Sequence, residues 1–203
     1  MAAELLSWQL AEFVQHLVGQ PYWYGTHLQN CTEALLDSKS TQYPDWYTED
    51  KMSKLKQNIE DKLVCSDCVG MVKGWAWTDG GVGVLEAIGT GEPIHQISGS
   101  NNCPDLSANG MFDYAKEQGA QWGPVASIPE MPGLGLWLEG HCGVYIGNGD
   151  VVDFRGFALG CAKTKLANRN FVYWYQFPFV KYVNKTKFLP LGGRKRGRCT
   201  IYL

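Results

Sequence analysis

Residues 3–18 set Leu6, Leu10, Phe13, Val14 and Leu17 at spacings of three and four, with Glu4, Glu12 and Gln15 on other faces. That pattern predicts an amphipathic helix ending at Gly19. The aromatic turn Gln20-Pro-Tyr-Trp-Tyr-Gly25 follows, and 31–62 then mixes a short helical piece, the polar tyrosine-rich run Thr41 to Asp50 and a charged helix, which reads as an insertion or lid. An apolar pattern resumes from Asp67 to Trp77 with Gly70 and Gly74 four apart, on one helix face, where a neighbouring element can approach closely. Residues 78–104 read as loops and Leu106 to Gly119 as a helix. From Leu134 to Tyr182 short β-prone runs alternate with turn signals at Gly135–Leu138, Gly143–Ile146, Val151–Phe154 and Phe171–Val180, an antiparallel meander. Helices first and strands later indicate an α+β class, with one domain over 1–180, the insertion at 31–62, and an extension at 181–203.

Composition narrows this picture in three ways. The 24 glycines and 26 aromatic residues among 203 argue for tight turns and a grooved, sheet-containing body rather than a helical bundle. The net charge is −2, and the last 23 residues hold seven basic groups and no acid; subtracting these seven leaves −9 for 1–180. Such a tail reads as solvated, and no nucleic-acid or membrane partner is expected from it. Seven cysteines at irregular spacings do not form a disulfide framework, so at least one thiol is free of intramolecular pairing. No run of eighteen apolar residues is present, and the start Met-Ala-Ala-Glu lacks the basic region of a signal peptide, leaving the compartment open.

Cys68 lies in Ser66-Asp67-Cys68-Val69-Gly70, at the expected start of a helix, where unpaired N–H groups and the macrodipole favour thiolate. A buried core cysteine is the default for this residue type, but the polar pair before it argues against deep burial. Among four histidines, His141 opens a strand that runs into Gly147-Asn148-Gly149, and Asp153 twelve residues later is the natural third group to orient its imidazole. A three-residue loop would set Gly143 opposite Asp153 and bring His141 and Asp153 to one face; a two-residue Asn-Gly loop would set Val144 opposite Asp153 and separate them. Asn-Gly is the stronger generic turn signal.

Asp67-Cys68-Val69-Gly70-Met71-Val72, Pro132-Gly133 and Gly140-His141-Cys142-Gly143-Val144-Tyr145-Ile146-Gly147-Asn148-Gly149, preceded by Pro21-Tyr22-Trp23-Tyr24-Gly25, resemble the NlpC-type family of papain-like cell-wall cysteine peptidases. The match runs in order over roughly residues 3 to 180. The resemblance implies a papain-like fold, with a nucleophile at a helix N-terminus packed on a C-terminal antiparallel sheet. It also implies hydrolysis of peptidoglycan stem peptides at the γ-D-glutamyl to diamino-acid bond, without cofactor or metal, by a monomer. Cys68, His141 and Asp153 fall on the catalytic positions, and Tyr22, Tyr24 and Asp67 on the rim of the groove that reads the stem. Val69 stands where Ser is usual and Asp153 where His is commonest, and 31–62 exceeds the usual spacer.

Other readings compete with this one. An amidase of the same fold acting at the N-acetylmuramoyl-L-alanine bond, or an inactive wall-binding module using Trp75, Trp77, Trp122 and Trp137, fits the same chain. Cys31, before another helix-prone run, is an alternative nucleophile. Cys65-x-x-Cys68 has redox or zinc spacing but lacks the βαβ context or a second ligand pair. Gly81-x-Gly83 lacks the third glycine of a nucleotide loop.

Overall fold

The computed structural model describes residues 4–183, so most of the basic extension, 184–203, and Cys199 with it, lie outside the described residues. Helix α1 (Ser7–His16) turns its Leu10, Phe13 and Val14 face into the core, and the chain leaves it through Gly19 at φ 94°. A short antiparallel pair, β1 (His27–Asn30) and β2 (Val64–Ser66), brackets α2 (Glu33–Gln42) and α3 (Glu49–Glu60). Thr32 caps α2 by accepting the Leu35 N–H on its hydroxyl. These two helices do not share the main core. They bury Leu36, Tyr47 and Leu55 against Trp23, Cys31 and Cys65, so 31–62 carries its own small apolar cluster.

Helix α4 (Gly70–Trp77) is buried on every face, Lys73 included. Its two glycines have the packing reason that their helix cost of roughly 1 kcal/mol each demands. A Cβ on Gly70 would collide with the Thr26 carbonyl oxygen, and one on Gly74 would stand 2.6 Å from the His27 carbonyl oxygen. Backbone therefore packs on backbone where α4 crosses β1. A single turn, α5 (Val84–Ala87), interrupts the expected loop region, and α6 (Ala108–Glu117) starts under a Ser107 cap that accepts the Gly110 N–H.

The remaining chain forms one six-stranded antiparallel sheet: β3 (Trp122–Pro124), β4 (Gly135–Leu138), β5 (His141–Gly147), β6 (Asp150–Phe154), β7 (Cys161–Lys165) and β8 (Tyr173–Tyr175). Its order, β3-β8-β4-β5-β6-β7, corrects the expected simple meander. Strands β4 to β7 do follow one another, but β8 returns to the far side of β4 and carries β3 at its own edge. Gly135 permits this return, because the Tyr175 and Phe177 rings occupy the volume its side chain would fill. The expected strand at Phe171–Val180 shrinks to three residues, and β7 was not expected at all. Its alternating burial and its lysines, at 163 and 165, suit a charged outer strand.

The class is α+β, with the Cys68 segment and α4 packed on the C-terminal antiparallel sheet. Past β8, Lys181 accepts the Ser7 N–H on its carbonyl and donates to the Leu5 carbonyl, and the Tyr182 hydroxyl donates to the Gly133 carbonyl at 3.1 Å. The six described cysteines all carry free thiols, and no described helix is long and apolar enough to cross a membrane.

Candidate active site

Helix α4 begins at Gly70, two residues after Cys68, but the helical turn starts earlier, since the Asp67 carbonyl accepts the Met71 N–H. The Asp67 carboxylate caps this turn: Oδ1 accepts the Gly70 N–H at 2.6 Å and Oδ2 the Gly25 N–H at 3.2 Å. Asp67 thus ties the Tyr22–Gly25 segment to the start of α4. Burial, and then the neighbouring Cys68 charge, push its pKa up to about 6, against the pull of the two N–H groups and Lys73.

The β5–β6 hairpin resolves the register in a way neither turn alone would give. Gly147 pairs with Asp150, so the loop is the two-residue Asn148-Gly149, both at positive φ. Tyr145 nevertheless pairs with Val151 and Val144 with Val152, so Ile146 is an extra residue, a bulge that moves the register back by one. Gly143 then falls opposite Asp153, and His141 and Asp153 share a face. Glu130 pins the bulged turn, accepting the Tyr145 hydroxyl at 2.6 Å and the Asn148 N–H at 2.7 Å.

His141 Nε2 lies 2.7 Å from Asp153 Oδ2, and the Asp153 side chain is fully buried. The Cys68 sulfur is influenced by both the Cys142 thiol and the His141 imidazole, and with Nε2 engaged by Asp153 the ring nitrogen left to serve it is Nδ1. The Cys142 thiol, then His141, hold the Cys68 pKa well below the usual thiol value despite burial. Cys142, the completely buried partner, moves the other way, pushed well above the usual thiol value by the Cys68 sulfur and by burial. Burial works against charge on His141, but the bonds to Asp153 and Cys68 outweigh it and raise the imidazole to about 9. These opposite shifts favour a thiolate beside an imidazolium.

Arg169 is a member of this cluster that sequence reasoning missed. Its Nη2 donates to Asp153 Oδ2 and sits 3.4 Å from His141 Nε2, while the guanidinium lies 5.4 Å from the Phe171 ring on which His141 also stacks. No local pattern marks it, because it comes from the segment between β7 and β8. Cys142 was also missed, although its place beside His141 was a signal.

The cleft has two halves sharing Tyr22 and Tyr24. One, of about 390 Å³, is bounded by Cys68, Asp67, Lys73, Lys39 and Asp105, with Lys73 bonded to Asp105 at 2.6 Å. The other is bounded by His141, Trp46, Arg155 and Arg169. Tyr22 is half-buried and meets at a tilt the ring of Trp46, which comes from the segment between α2 and α3, whereas Tyr24, stacked with the same ring, is exposed. The six residues singled out from sequence, Cys68, His141, Asp153, Tyr22, Tyr24 and Asp67, are therefore brought to one place.

The rivals are set elsewhere. Cys31 is buried on the far side of β2, its thiol pKa driven far up by the Cys65 thiol and by burial. Cys65 donates to the Gln29 carbonyl and belongs with Cys31 rather than with Cys68. Trp75 and Trp77 are core residues, and Trp137 and Trp122 pack around Phe112, so the four tryptophans form no common surface. Among the described residues no group of histidine, cysteine and carboxylate side chains could hold a metal ion.

No protein-family model matches the chain, and no curated protein sequence matches it. Among solved structures, RipB from Mycobacterium tuberculosis, a peptidoglycan hydrolase, is similar at a TM-score of 0.41 and 16% identity, over 86% of this chain and 66% of that one.

Proposed function

We propose that this chain is a cysteine peptidase that hydrolyses peptidoglycan stem peptides at the γ-D-glutamyl to diamino-acid bond. The observation that carries the chemistry is the line Cys68, His141, Asp153, in which a depressed thiol meets an imidazole held at 2.7 Å by a buried carboxylate. The substrate class is supported by the ordered resemblance of the Tyr22–Gly25, Asp67–Val72 and Gly140–Gly149 segments to the cell-wall peptidase family. Cys68 thiolate attacks the amide carbonyl, and the Cys68 N–H, at the start of the α4 turn, faces the oxyanion. His141 imidazolium gives its proton to the departing amine as the C–N bond breaks, leaving an acyl thioester. Water then attacks the thioester, His141 takes its proton, and Cys68 is released as thiolate.

Digestion of purified peptidoglycan followed by mass analysis of the fragments tests this. The expected products are stem pieces ending in D-glutamate and pieces with a newly freed diamino-acid amine, absent with Cys68→Ala. A new L-alanine amino terminus would assign the chain to the amidase reading instead, and no fragments from the unaltered protein would overturn the hydrolase reading.

A further inference from the structure

We infer that Arg155 forms a carboxylate-binding subsite for the leaving half of the substrate, selecting a diamino residue that carries a free carboxylate; this rests on the proposed peptidase reading. The departing amine must receive its proton from His141, so the leaving half occupies the part of the cleft that His141 walls. That part, of about 540 Å³, is bounded by Tyr22, Trp46, Leu159 and two arginines, and no carboxylate lines it. One of these arginines, Arg169, is already engaged by Asp153. The other is not.

Arg155 follows β6 directly, and its backbone is fixed by the N–H donated to the Gly160 carbonyl at 2.8 Å. Its side chain makes no hydrogen bond or ion pair among the described residues, whereas Arg169, whose Nε is likewise buried without a partner, is held by Asp153. A guanidinium that lines the cleft with no acceptor of its own leaves its terminal N–H groups to a ligand, and a planar carboxylate is the ligand their fork geometry matches. The aromatic and aliphatic walls, with Leu159 57% exposed at the rim, would shield such a pair from water. The other half of the cleft differs, since there Lys73 is neutralised by Asp105 and Asp67 stands nearby. On the leaving-group side no lining carboxylate opposes Arg155. When the C–N bond breaks, the amine leaves as part of a residue whose carboxylate Arg155 has held.

The test uses two synthetic stem peptides that differ at one group, with diaminopimelate after D-glutamate and its distal carboxyl either free or amidated. The unaltered protein is expected to favour the free acid by about tenfold or more in kcat/KM. In Arg155→Gln that ratio should fall to about one, and Arg155→Lys should keep an intermediate ratio. Equal rates on both peptides by the unaltered protein, or a ratio unchanged by Arg155→Gln, would overturn the subsite while leaving the peptidase reading intact. Failure of the unaltered protein to cut either peptide would overturn both.

Discussion

Arg169 closes on Asp153 through the same carboxylate oxygen, Oδ2, that holds His141 Nε2 at 2.7 Å. Asp153 is completely buried and its Oδ1 has no partner, so its charge depends on these two contacts alone among the described residues. Removing one partner of a buried ion pair strands the other. Arg169→Met should therefore lower unfolding stability by about 3 kcal/mol, read from urea denaturation, with Arg169→Lys falling between. A loss near zero would mean that Asp153 does not need the guanidinium.

On the proposed mechanism, the raised pKa of His141 should set the alkaline limit of activity. The imidazolium is favoured in the folded protein, so the thiolate–imidazolium state is present below about 9 and is lost as pH rises through that value. The kcat/KM profile should fall on its alkaline side near pH 9. Asp153→Asn replaces the charged acceptor that most raises His141 by a neutral amide, so the alkaline limb should move down, with a loss of at least ~10²-fold at the optimum. An alkaline limb that stays in place in Asp153→Asn would show that Asp153 does not govern the imidazole.

The elements that could be read from sequence are those whose signal is local. The heptad-like spacing of Leu6 to Leu17, the Gly70/Gly74 pair and the Asp67-Cys68 and Gly140-His141 segments each predict what they form within a few residues. What could not be read depends on contacts far along the chain. Arg169 reaches Asp153 because the turn out of β7 brings it back over β6, and β8 joins β4 because Gly135 leaves room for Tyr175. The bulge at Ile146 falls between these extremes. Asn148-Gly149 announces the two-residue turn, but only Glu130, from the segment before β4, fixes the extra residue that realigns His141 with Asp153.

Cys142 contributes a second thiol to the nucleophile. Its S–H is the foremost influence holding Cys68 below the ordinary thiol range. Cys142→Ala removes this donor without adding bulk, so the Cys68 thiol pKa should rise. The measurement is the rate of iodoacetamide alkylation against pH, with Cys68→Ala identifying the labelled site. The inflection should move to higher pH in Cys142→Ala; an unmoved inflection would assign the activation to His141 and the α4 turn alone.

The bulge makes the alignment of β5 with β6 a matter of one residue. Deleting Ile146 lets the two-residue turn pair straight through, with Tyr145 still opposite Val151 and Gly143 still opposite Asp153, so His141 and Asp153 stay on one face. What the deletion removes is the extra local twist that a bulge gives its strand, so it tests whether that twist aligns His141. A second change tests the pinning of the turn. Tyr145→Phe removes the hydroxyl bonded to Glu130 at 2.6 Å and to the Gly149 N–H at 3.1 Å, while keeping the ring in its cluster. Because Glu130 is exposed, the expected stability loss is only about 1 kcal/mol. Turnover should fall further than that loss explains, because the tilt of β5 sets the distance from His141 to Cys68. The check is kcat/KM measured well below the melting temperature of Tyr145→Phe. If turnover equals that of the unaltered protein, the pinned turn serves folding and the His141 alignment is held by Asp153 and Phe171 without it.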